Sequence, residues 1–124
     1  MKHPPRILVV DDEALNRILL QTALEHMGYV VETVSDGRAA LQTLRQQSYN
    51  LILLDLLLPD MSGEQILQQI KADPVLASVP VIIVSAIEQQ KRINFCLEMG
   101  AVDFLPKPFD PEQVYGRVQA ALNN

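Results

Sequence analysis

Aliphatic residues cluster in five short runs, Arg6–Val10, Val30–Val34, Leu51–Leu54, Val81–Val84 and Asp103–Leu105. Runs this short, rich in β-branched residues and bounded by Asp, Ser, Gly or Pro, read as strands. Between them the apolar positions change to helical spacing. Leu15, Ile18, Leu19, Ala23 and Met27 mark one face of a first helix, and Gly28 is placed to stop it. Ser35-Asp36-Gly37 turns into a second helix marked by Ala40, Leu41 and Leu44. A third runs from about Glu64 through Ile66, Leu67 and Ile70 and must end near Asp73-Pro74, and a fourth covers roughly Gln89 to Met99 before Gly100. Asp110-Pro111-Glu112-Gln113 opens the last helix, with Asp110 as N-cap, Pro111 in the first turn and Gln113 as the reciprocal capping partner. Strict alternation of strands and helices predicts an α/β fold, a doubly wound parallel sheet with helices on both faces. Leu51–Leu54, four large aliphatics in a row, fits its central strand, buried on both sides.

Length and composition narrow the class without naming an activity. The 124 residues suit one domain spanning 1–124, with no internal repeat or linker. Hydrophobic residues at 48% and charged residues at 20% describe an ordinary globular chain. A formal charge of −5 argues against direct nucleic-acid binding. The single cysteine, Cys96, excludes an internal disulfide and fits a reducing compartment. Met1-Lys2-His3-Pro4-Pro5 offers no signal-peptide core, and no apolar run approaches the roughly 20 residues of a membrane helix. A cytoplasmic protein without membrane association is expected.

Polar residues then stand where the strands end. Asp11 and Asp12 follow the first strand, Asp55 the third, Ser85 the fourth and Lys107 the fifth. A parallel sheet brings these carboxyl ends to one edge, where open α/β folds place their ligands. Taken singly each has a plainer reading: Asp11-Asp12 as a turn and helix cap, Asp55 as a loop cap, Ser85 as a helix cap, Lys107 as a turn residue. Together they read differently. Carboxylates held close repel one another and demand protons or a cation, and oxygen ligands without His or Cys favour Mg2+. An ammonium and a hydroxyl beside them suit phosphoryl oxygens. The chemistry that uses the whole set is phosphoryl transfer to Asp55. Glu13 reads as a first-turn acid favourable to the helix dipole, with a lesser claim on the ion site. His3 and His26 read as exposed, and Cys96 as a small buried hydrophobe.

Four segments carry a resemblance over essentially the whole chain: Val9-Val10-Asp11-Asp12-Glu13, Leu54-Asp55-Leu56-Leu57-Leu58-Pro59-Asp60-Met61-Ser62-Gly63, Val84-Ser85-Ala86 and Phe104-Leu105-Pro106-Lys107-Pro108-Phe109. In order and spacing they resemble the receiver domain of bacterial two-component response regulators. The resemblance implies a flavodoxin-like sheet of order 2-1-3-4-5 and Mg2+-dependent phosphorylation of Asp55 by a histidine kinase or histidine phosphotransfer protein. Asp11, Asp12, Asp55 and the backbone carbonyl of Leu57 would hold Mg2+, or Mn2+ in its place. Ser85 and Lys107 would hold the phosphoryl group, the Lys107-Pro108 bond would be cis, and Ser85 and Phe104 would form the switch. Such a domain is a phosphoacceptor switch more than an enzyme, although it assists its own phosphorylation and hydrolysis. It implies an output domain or protein partner met through helix four, strand five and helix five. Val102 stands where an acid is common in regulators that dimerise there, which leaves at most a weak homodimer. Three other classes fit less well. A haloacid-dehalogenase-type phosphatase needs an aspartate where Leu57 stands, and a nucleotide or flavin domain needs a glycine-rich phosphate loop, whereas these five glycines read as turns and helix ends. A degenerate, binding-only receiver is expected to have lost an acid or the lysine, and all are present.

Overall fold

The computed structural model describes residues 3–123. Met1-Lys2, part of the reading against a signal peptide, and Asn124, the end of the predicted domain, lie outside the described residues. Five strands, β1 (Arg6–Val10), β2 (Val30–Val34), β3 (Leu51–Leu54), β4 (Val81–Ser85) and β5 (Asp103–Pro106), alternate with five helices. These are α1 (Ala14–His26), α2 (Gly37–Gln46), α3 (Gly63–Ala72), α4 (Gln90–Glu98) and α5 (Pro111–Leu122). The strands form one parallel sheet of order β2-β1-β3-β4-β5, the flavodoxin-like arrangement.

Continuous aliphatic runs allow each inner strand to feed two cores at once, because successive side chains leave opposite faces. Leu8, Val10, Ile52, Leu54, Val81 and Ile83 face α2, α3 and α4, packing on Ala40, Leu44, Ile66, Leu67, Ile70 and Cys96. Ile7, Val9, Leu51, Leu53, Ile82 and Val84 face α1 and α5, packing on Leu20, Leu24, Val114 and Val118. Cys96 behaves as a small hydrophobe there, and burial pushes its thiol up to about 11. No helix among the described residues is long and apolar enough to cross a membrane.

The first helix corrects the sequence reading. Leu20 and Leu24 are buried, whereas Leu15, Ile18 and Leu19 are 67%, 59% and 49% exposed. The helix carries aliphatic residues on two faces, so spacing alone cannot choose its rotation. A polar contact helps settle it: the Arg17 guanidinium donates to the Asp11 carbonyl at 2.7 Å, holding that side of α1 toward the strand end. The glycines need a second correction. Gly116 is no helix end but sits exposed inside α5, where nothing lies within 4 Å of a Cβ built upon it.

Candidate acidic site at the strand mouths

Register brings the polar strand ends together. Val10 pairs with Leu54, so Asp11 and Asp55 leave adjacent strands side by side, and the Asp55 amide donates to the Val10 carbonyl. Ser85 ends β4 next to β3, and the Lys107 amide donates to the Ser85 carbonyl at 3.0 Å. The Lys107-Pro108 peptide is cis.

Asp55 is 4% exposed, and both of its oxygens are engaged. Oδ1 accepts from Ser85 Oγ at 2.9 Å and from the Leu57 amide at 3.1 Å, while Oδ2 accepts from Lys107 Nζ at 2.7 Å. Asp11, also buried, accepts the Glu13 amide on Oδ1 at 2.9 Å. Its Oδ2 lies 2.7 Å from Lys107 Nζ as an ion pair but receives no aligned hydrogen bond. Glu13 stands 3.5 Å from the same ammonium and, like Asp12, is exposed. One carboxylate oxygen from each of Asp11, Asp12, Glu13 and Asp55 falls within 4.8 Å of all the others. Burial holds the Asp11 carboxyl above its ordinary range against the Lys107 and Glu13 contacts that lower it. For Lys107 burial acts downward, but the close carboxylates of Asp11 and Asp55 together outweigh it and raise its pKa.

One ammonium among four carboxylates leaves the cluster net negative, with a buried Asp11 oxygen lacking a hydrogen-bond donor. An all-oxygen donor set whose carboxylates outnumber the one ammonium fits a hard divalent cation. Glu13 is the N-cap of α1, without a side-chain capping bond, and not the first-turn acid the sequence suggests; its carboxylate lies in the cluster, where its lesser reading had it. Ser85 caps no helix, because the N-cap of α4 is Gln89, without a side-chain bond. Phe104 is half-buried and packs with Ile87 against the core on the α4 side. Arg117, which sequence spacing does not flag, donates from α5 to the Phe104 carbonyl at 2.7 Å and to Asp103 at 2.9 Å.

Residues 7–119 match the family model of the response regulator receiver domain. The chain belongs to that family. As a receiver domain it is part of a signalling system rather than a classical enzyme. PhoP, the alkaline phosphatase synthesis transcriptional regulatory protein of Bacillus subtilis, is 38% identical over 94% of this chain and 48% of its own length. The probable transcriptional regulator ycf27 of Guillardia theta is 37% identical over 94% of this chain and 45% of its own. This receiver therefore spans about half the length of the curated relatives it matches. Among solved structures, the receiver domain of sensor histidine kinase PA1611 from Pseudomonas aeruginosa, with magnesium coordinated in its active site cleft, has a TM-score of 0.89 and 30% identity over 98% of this chain and 100% of that one. The chemotaxis response regulator CheY4 of Vibrio cholerae has a TM-score of 0.91 and 27% identity over 97% of this chain and all of that one.

Proposed function

We propose that residues 1–124 act as one phosphoacceptor receiver domain in which Asp55 accepts a phosphoryl group from a histidine kinase or histidine phosphotransfer protein. The observation carrying this reading is the buried Asp55 carboxylate, held by Ser85 and Lys107 within a cluster of four acids. A carboxylate oxygen of Asp55 attacks phosphorus. The bond from phosphorus to the donor nitrogen breaks, and the donor imidazole keeps that electron pair. Lys107 Nζ and Ser85 Oγ, already on Asp55, are placed to pass to the new phosphoryl oxygens. Asp11, Asp12, Asp55 and the Leu57 carbonyl would hold Mg2+, or Mn2+, which neutralises phosphoryl charge when bound. Movement of Ser85 toward the phosphoryl group would draw Phe104 inward. That would change the α4–β5–α5 face, where Phe95, Leu97 and Val102 are exposed, and so control an output domain or protein partner. Any homodimer through that face would be weak, since Val102 brings no charge for pairing.

The setting is cytoplasmic, away from membranes, and the receiver itself would not contact nucleic acid. Its relatives are transcriptional regulators, so an output in transcription would fit this reading, whether the receiver stands alone or within a longer protein. The phosphodonor would dock on Leu15, Ile18 and Leu19, an exposed aliphatic stripe on α1 that begins beside the acidic cluster. Ile18→Glu should slow transfer from a phosphorylated histidine phosphotransfer protein while leaving labelling by acetyl phosphate unchanged. Equal loss with both donors would remove α1 from recognition.

Backbone amide NMR with Mg2+ and then beryllofluoride, a phosphoryl mimic, tests the switch. Shifts are expected first at Asp11–Glu13 and Leu57, then at Ser85–Ile87 and along β5. A spectrum indifferent to both additions would refute the reading.

A further inference from the structure

The Leu56–Ser62 loop, which carries Leu57 past the acidic cluster, is tied down at two places far apart in sequence. At its base the Gly63 amide donates to the Leu56 carbonyl at 3.0 Å. At its tip Asp60 reaches the amino end of α2, where Oδ1 accepts the Gly37 amide at 2.8 Å and Oδ2 the Arg38 amide at 2.9 Å. Met61 packs beside this contact on the bare α-carbon of Gly37, so closely that a Cβ there would fall 2.3 Å from Met61 Cγ and 2.5 Å from Sδ. Gly37 has no positive φ, so this approach, not backbone freedom, is what calls for glycine.

The helix does not depend on Asp60 for its start. Asp36, the N-cap of α2, already accepts the Ala39 amide at 2.7 Å. Asp60 and Arg38 are solvent-exposed although Gly37 is buried, so removal of the carboxylate opens this helix end to water. Without Asp60 the helix therefore keeps its cap, whereas the loop loses its tether. The two amides and the helix dipole favour the charged carboxylate and hold its pKa below the ordinary range.

We propose that Asp60, with Met61 seated on Gly37, is a positioning residue that clasps the Leu56–Ser62 loop to α2 and so fixes Leu57 for metal binding. The inference rests on the reading above that the acidic cluster takes Mg2+. It gives α2 a part in the site although no α2 side chain belongs to the cluster.

The test measures Mg2+ affinity, the melting temperature in EDTA and backbone amide shifts for the native chain, Asp60→Ala, Gly37→Ala and Gly37→Ala/Met61→Ala. Asp60→Ala should weaken Mg2+ binding about 10-fold, the scale on which residues behind metal ligands act. Its melting temperature should stay close to native, and the Leu57 amide should move while Ser85 and Lys107 do not. Gly37→Ala should weaken Mg2+ binding in the same way by displacing Met61. Adding Met61→Ala to it should recover part of the loss by making room for the new methyl group. Native Mg2+ affinity in Asp60→Ala would overturn the clasp. A melting loss with shifts spread over the whole site would overturn it too, as the mark of a merely structural residue. Failure of the native chain to take Mg2+ would overturn the parent reading instead. In that case the Leu57 amide in metal-free Asp60→Ala still decides the clasp, because an unmoved resonance refutes it.

Discussion

Lys107→Ala should cost about 3 kcal/mol of folding stability at pH 7 in the absence of divalent metal, the scale of a buried ion pair that loses one partner. The Lys107 side chain is 9% exposed, and its Nζ lies 2.7 Å from both Asp11 Oδ2 and Asp55 Oδ2, so its removal leaves two buried carboxylates without their cation. The sign with pH follows from both partners. Lys107 has a raised folded pKa, so its stabilising contribution is complete below the ordinary lysine value and is present in full at pH 7. Asp11 has a folded pKa above its unfolded value, so its ionised form opposes folding and protonation relieves that cost. In the variant the lowering influence of Lys107 is gone and the Asp11 pKa rises further. The deficit should therefore shrink as pH falls from 7 toward the Asp11 titration, and Mg2+ should restore more stability to the variant than to the native chain. Urea unfolding across pH measures this. A deficit under about 1 kcal/mol with no pH trend would contradict the assigned charge balance.

Gly63→Ala should be comparably damaging, by about 3 kcal/mol, for a steric reason. A Cβ at Gly63 would lie 2.5 Å from the Asp55 carbonyl oxygen and 2.6 Å from Leu56 Cα. Both obstacles are backbone at the end of the central strand, and neither can swing aside as a side-chain tip can. Gly63 lacks a positive φ, so the methyl group and not the dihedral causes the loss. The displacement it forces falls on the residue proposed to accept phosphate, so labelling by acetyl phosphate should drop even in molecules that remain folded. A lowered urea midpoint with unchanged m-value is the expected readout. Near-native stability would mean that α3 can shift away from β3, against the observed packing.

The contrast between these positions and α1 explains what could be read from the sequence. Leu51–Leu54 followed by Asp55 announces a central strand with a carboxylate at its mouth, because four aliphatics in a row can satisfy both faces of a sheet only there. Asp11, Asp12, Ser85 and Lys107 follow once the strands are known to be parallel, since topology alone gathers their ends. Rotation of a helix that is apolar on two sides is not local information. The burial of Leu20 and Leu24 instead of Leu15, Ile18 and Leu19 depends on packing against β1, β2 and α5 and on the Arg17 bond to the Asp11 carbonyl. The same limit hides Asp60, whose partners lie 22 and 23 residues away, and Arg117, whose partners lie on the neighbouring strand. The Ser62–Gln65 capping box of α3 was within reach of sequence reasoning through its Ser-x-x-Gln spacing. The Asp110–Gln113 box of α5 forms at the residues where the sequence places it.

The measurement closest to the central claim is the intact mass of the protein after incubation with acetyl phosphate, with Mg2+ and with EDTA, for the native chain and Asp55→Asn. A single phosphoryl adduct is expected on the native chain, one that requires Mg2+ and is absent from Asp55→Asn. An adduct that persists in Asp55→Asn, or none on a folded native chain with Mg2+ present, would contradict it.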